Sequence, residues 1–174
     1  MEVEKQLETQ WCWAAVAVSI HNFLNPGGTT WTQADVATPV LHAEHRIGPS
    51  VDCSVTPGTC NIPAALDQAL HKTGNLRREG FLPNQLLPFD NIKEWVDLHL
   101  PVGVRILWWG GGGHFVVIAG YRVLDSIREQ LLVLDPRGYA TFVDYEDLVA
   151  DYGEGGIWQD TYLVKRSTVA PGGI

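Results

Sequence analysis

Residues 101–144 read PVGVRILWWGGGGHFVVIAGYRVLDSIREQLLVLDPRGYATFVD, and the fold turns on how that stretch divides. VGVRILWW, HFVVIAGYRV, QLLVLD and YATFVDY are short runs of β-branched and aromatic residues, separated by glycines and by Asp-Pro and Arg-Gly turns. Such runs fit a pleated sheet and read as strands, joined by a last run, IWQDTYLVKR, after YGEGG. Before Pro101 the period is different. Residues 11–24 are apolar almost all round, which predicts a buried helix that NPGG then stops. TWTQADVATPVL places Thr32 three residues before Asp35, a capping-box start to a second helix. Residues 43–60, rich in Gly, Pro, Ser and Thr, read as loop. NIPAALDQALHKTG predicts a third helix, with Asn61 as cap, a proline in the first turn and Gly74 past the end. FDNIKEWVDLHL predicts a fourth, with Ile92, Trp95, Val96 and Leu100 on one side. Helices followed by antiparallel strands make an α+β domain. The expectation is one domain over 1–174, with a helical lobe over about 1–100 and a sheet lobe over about 101–167.

Composition narrows the function. The chain has 174 residues, 45% of them apolar and 18% charged, a globular balance. A net charge of −8 with no basic stripe argues against nucleic acid, since nothing is placed to neutralise phosphates. No apolar run approaches the length of a membrane span. There is no glycine-rich phosphate loop between a strand and a helix, and no metal or cofactor is required. The opening MEVEKQ lacks the apolar centre of a signal peptide. A cytoplasmic protein is therefore expected, with secretion as the alternative.

Three cysteines leave at least one unpaired. Cys53 and Cys60 lie seven apart around a Pro-Gly turn, a spacing compatible with a disulfide, with free thiols, or with a metal set completed by His42 and His45. In each case Cys12 is the odd thiol. It stands between Trp11 and Trp13 at the head of the first helix, where the helix dipole and free N–H groups favour a thiolate. A nucleophilic thiolate needs a histidine partner, and the histidine needs an acceptor to hold its ring. His114 opens a strand after four glycines. Asp135 ends the neighbouring strand, and antiparallel pairing brings it toward His114. Gln6 is placed to donate to an oxyanion beside the Cys12 N–H, with Gln10 as competitor.

These residues resemble the papain-like cysteine peptidases. Gln6, Cys12, Trp13 and Ala14 match the Gln-x5-Cys-Trp-Ala pattern, and GGHFVVIAGY followed by LDPRG is similar to the compact bacterial members. Those include effector peptidases of plant pathogens and the double-glycine leader peptidases. WCWAA and DCSVTPGTCN look more like the effector branch, while Asp135 in place of papain's Asn agrees with the leader peptidases. Leader peptidases usually carry Gly where this chain has Trp13, and no inhibitory propeptide precedes Gln6. The resemblance implies a papain-like fold and a cysteine endopeptidase acting on peptide or protein through Cys12, His114 and Asp135, with Gln6 at the oxyanion. Leader removal from a bacterial peptide is the first use considered, and a secreted effector protease the second. An acyltransferase or transamidase, or a non-catalytic peptide-binding domain, are the alternatives of a different class. Gly113 offers bare backbone at the cleft edge, and Trp13, Trp108 and Trp109 are candidates for flat walls selecting small residues beside the cut. Indoles filling the sheet core are the competing reading. The oligomeric state is not legible.

Overall fold

The computed structural model describes residues 1–153 and 155–167. Among the described residues five α-helices and six strands follow one another as α1 (Cys12–Leu24), α2 (Gln33–Ala43), α3 (Leu66–Lys72), β1 (Leu76–Leu82), α4 (Phe89–Asp97), β2 (Val102–Trp108), β3 (Gly113–Leu124), β4 (Arg128–Asp135), β5 (Tyr139–Asp144), α5 (Tyr145–Ala150) and β6 (Gly156–Val164), with a short 3-10 helix at Pro57–Cys60. All strands join one sheet in the order β1-β6-β2-β3-β4-β5, and every pairing is antiparallel. The class is α+β, as the change of period implies.

Two cores lie on the two faces of the sheet. On one, α1 supplies Trp13, Ala14, Val16, Ala17, Val18 and Ile20, all fully buried, against Phe115 and Val117 of β3 and Tyr162 of β6. A helix apolar all round needs cover on every side. α2, α3 and the 53–60 loop provide it. On the other face, Ile92 of α4 and Leu148 of α5 cover Val104, Ile106, Val116, Ile118, Leu131, Val133 and Trp158. Alternation along β3 explains the split, because successive side chains leave opposite faces of a strand.

The α2 capping box forms as read: the Asp35 N–H donates to Thr32 Oγ1, and the Thr32 N–H to Asp35 Oδ2 at 2.7 Å. α3 begins at Leu66 rather than at Asn61. The reason is visible in the hydrogen bonds. Asn61 Oδ1 accepts from the Gln10 N–H, Asn61 Nδ2 donates to Thr9 Oγ1, and the Ile62 carbonyl accepts from the Trp13 indole. Asn61 and Ile62 are spent holding the entrance to α1, and residues 61–65 form no regular element. Two elements have no counterpart in the reading above. β1, with the charged sequence LRREGFL, lies inside the half read as helical and forms the sheet edge beside β6. α5 covers the second core through Leu148. No helix among the described residues is long and apolar enough to cross a membrane.

Candidate active site

The site begins at α1. Trp11 and Trp13 are buried, and their indole N–H groups donate to the carbonyls of Cys60 (2.7 Å) and Ile62 (3.1 Å). Both carbonyls follow a loop closed by a disulfide between Cys53 and Cys60. That bond decides among the three readings of the pair and removes both sulfurs as metal ligands. The two tryptophans thus fix the first turn of α1 from either side of the thiol. As the first helical residue, Cys12 presents an N–H with no intrahelical acceptor. Its side chain is 8% exposed and is the unpaired thiol of the described residues.

His114 arrives from the sheet. β2 and β3 pair Ile106 with His114, and β3 and β4 pair Val117 with Leu134, which sets Asp135 beside the first residues of β3. His114 Nε2 lies 2.7 Å from Asp135 Oδ1, and both side chains are 4% exposed. The carboxylate also accepts the Arg137 N–H at Oδ1 (2.8 Å) and the Tyr152 hydroxyl at Oδ2 (3.0 Å). Nε2 is committed to Asp135, and Cys12 is, with Asp135, one of the two side chains that act on the His114 ring.

The electrostatics follow from this packing. Burial alone pushes the His114 pKa down. The hydrogen bonds and charges of Asp135 and Cys12 outweigh it and hold the pKa above the ordinary imidazole value. Burial alone pushes Asp135 up, but His114, the Arg137 N–H and Tyr152 together keep it below the ordinary carboxylate value. An imidazolium–carboxylate pair is favoured, supported from the Cys12 side chain as well as from Asp135.

Gln6 is near this constellation but turned from the role read for it. Its Nε2 donates to the carbonyls of Glu8 (2.9 Å) and Thr9 (2.8 Å), and its Oε1 is buried without a partner. Its backbone N–H donates to the Pro136 carbonyl at 2.8 Å, which ties the Gln6 segment to the residue after Asp135. Gln33 of α2 was not foreseen. Only 1% exposed, it accepts the Leu7 N–H (3.0 Å) and donates to the Lys5 carbonyl (2.9 Å), clamping the chain on both sides of Gln6. Its one sequence signal is a position just inside the Thr32 cap, which says nothing about a partner 26 residues upstream.

The candidate substrate contacts divide. Trp13 is fully buried, so its reading as a cleft wall is corrected: its ring fills the core under α1 and its N–H serves Ile62. Gly113 borders a cleft of about 500 Å³ together with Ala64, Arg105, Phe115, Asp160 and Tyr162. Trp108 lines a second cavity, about 700 Å³, with Asp135, Arg137, Thr141 and Tyr152. Trp109 is 85% exposed beyond it. None of the three indoles borders the Gly113 cleft, so the narrowing invoked for a small-residue preference does not come from them. His42 Nε2 contacts the Gly48 carbonyl, a local loop bond.

Comparison with family models and with curated proteins returns no match.

Proposed function

We propose that this chain is a cysteine peptidase of papain-like type, using Cys12 as nucleophile, His114 as acid and base, and Asp135 as the group that orients the imidazole. The observation that carries the reading is the Cys12–His114–Asp135 chain. A thiol at a helix start, a buried imidazole and a buried carboxylate come from three separate elements, with the carboxylate on Nε2 of the ring and the cysteine acting on the same imidazole. Core packing does not require such an arrangement, since burying ionisable groups costs free energy unless they are paired.

The chemistry starts with transfer of the Cys12 proton to His114. The Cys12 thiolate adds to the scissile carbonyl, forming the S–C bond and placing negative charge on oxygen. The Cys12 N–H faces that oxygen, and the Gln6 amide joins it by turning from the Glu8 and Thr9 carbonyls. Collapse of the intermediate breaks the C–N bond as the His114 imidazolium gives its proton to the leaving amine. Neutral His114 then takes a proton from water. The new O–C bond forms, the S–C bond breaks, and the thiolate–imidazolium pair is restored. The cleft that receives the peptide is the one bordered by Gly113 and Phe115, the residues on either side of His114.

Leader removal from a peptide precursor remains the favoured use, with the secreted effector role supported by the Cys53–Cys60 disulfide, a bond that persists in oxidising compartments. The same acyl-enzyme serves transfer to an amine. A peptide library incubated with the protein and with Cys12→Ala, read by mass spectrometry, tests the reading. New termini from the wild type alone support hydrolysis, amide products in the presence of added amine point to transfer, and no product from either chain overturns catalysis.

A further inference from the structure

The second cavity holds a contact that the three-residue mechanism leaves unused. Asp135 is buried and, among the described residues, has no lysine or arginine side chain bonded to it. Oδ1 is shared between His114 and the Arg137 N–H, whereas Oδ2 has one partner among the described residues, the Tyr152 hydroxyl at 3.0 Å. Rotation about the last bond of an aspartate side chain is soft, with broad, two-fold preferences. Two contacts on the same oxygen do not fix the carboxylate plane. A third contact on the other oxygen does.

Tyr152 is itself held. Its backbone exchanges two hydrogen bonds with Gly156, at 2.7 and 3.0 Å. Gly156 has no room for a side chain, because a Cβ there meets Ile106 Cγ2 at 2.5 Å and Trp108 Cζ3 at 2.6 Å. The turn that carries Tyr152 is therefore pressed onto β2, 17 residues beyond the carboxylate it reaches. The phenol remains a neutral donor, since burial and the charge of Asp135 push its pKa up.

We propose that Tyr152 is a positioning residue for the reaction, one that orients Asp135 through Oδ2 and sets the acid limit of activity. The proposal rests on the peptidase reading for its kinetic consequence, but not for its structural one. The charged and titratable groups around Asp135 are His114 from β3, Arg137 after β4, Tyr152 after α5, Tyr139 paired with Asp135 on β5, and Cys12 of α1 through the imidazole. Tyr152→Phe keeps the aromatic ring and removes one donor to the carboxylate. Protonation of Asp135 then becomes easier.

The test has an arm that needs no activity. In a Cys12→Ala background, the Asp135 carboxyl carbon is titrated by NMR with Tyr152 and with Tyr152→Phe; the midpoint should rise in the variant. In the otherwise wild-type chain, Tyr152→Phe should lower kcat roughly tenfold with KM little changed, as expected for losing a hydrogen bond to a charged group, and move the acid limb of the profile to higher pH. The Tyr152 hydroxyl proton of the wild type should exchange slowly and lose protection as Asp135 protonates, a measurement independent of the variant's folding. An unmoved carboxyl midpoint, or a rapidly exchanging hydroxyl, overturns the proposal. If the wild type cleaves nothing, the peptidase reading falls while the titration still decides for or against Tyr152.

Discussion

The indole N–H of Trp11 donates to the carbonyl of Cys60 at 2.7 Å, so the residue before the thiol is fastened to the disulfide loop. This relationship accounts for a cysteine set between two tryptophans. The rings are anchors for the first turn of α1, one on Cys60 and one on Ile62. Their anchoring fixes the backbone on either side of the thiol, which is itself 8% exposed.

Replacing Trp11 by Phe removes that hydrogen bond and leaves a small void in a fully packed place. The bond is worth about 1 kcal/mol and the void a similar amount, so unfolding stability should fall by about 2 kcal/mol in denaturant titration. Activity should fall as well, because the first turn of α1 loses one of its two ties.

Opening the Cys53–Cys60 loop acts on the same place from the other end. A disulfide closing so short a loop contributes about 2–3 kcal/mol, chiefly by restricting the unfolded chain. The Cys53→Ser, Cys60→Ser double variant should lose that much by denaturant titration. An unchanged midpoint under non-reducing conditions would show that the loop is held by its other contacts, such as the Cys53 N–H to Thr38 Oγ1.

Gln33→Leu strips two backbone groups of their partner, the Leu7 N–H and the Lys5 carbonyl. Both bonds are only part-buried, so each loss costs about 1 kcal/mol, and the N-terminal segment should loosen before the domain unfolds. Hydrogen exchange should show lost protection at residues 4–7 with the sheet unaffected.

The pH dependence follows from the two shifted groups. His114 is raised in the folded protein, so its stabilisation is fully present below the unfolded value near 6.5 and fades as pH climbs through the folded value. Asp135 is lowered, so its contribution is present above about 3.8 and is lost as pH falls through its folded value. Thermal stability should therefore carry its greatest contribution from this pair between those limits. Asp135→Asn should flatten that part of the curve, and it should draw the alkaline limb of activity to lower pH, because the carboxylate no longer supports the imidazolium.

Much of this was legible in the sequence, for identifiable reasons. The β2 to β6 runs announce themselves because β-branched residues and turn signals alternate locally. The Thr32–Asp35 cap spans three residues and forms as read. Cys12, His114 and Asp135 could be named because each stands at or next to the end of an element, beside a marked turn or helix start, in a pattern that resembles a known family. β1 escaped because an edge strand paired only with β6 can be charged along its length, and its backbone bonds leave no pattern in LRREGFL. α3 was read too long because the partners of Asn61 and Ile62 lie 49 or more residues away. Gln33 and Tyr152 were invisible for the same reason. A single polar side chain that bridges distant segments has no local period.

The central claim is that His114 and Asp135 prepare Cys12 for attack, and alkylation tests it without a known substrate. Iodoacetamide is added near pH 6, and the labelled residue is located by mass spectrometry in the wild type, in His114→Ala and in Asp135→Asn. The account predicts rapid, single modification at Cys12 in the wild type, a fall of at least tenfold in His114→Ala, and an intermediate rate in Asp135→Asn. Equal rates in all three proteins, or labelling that reaches Cys53 or Cys60 first, would contradict it.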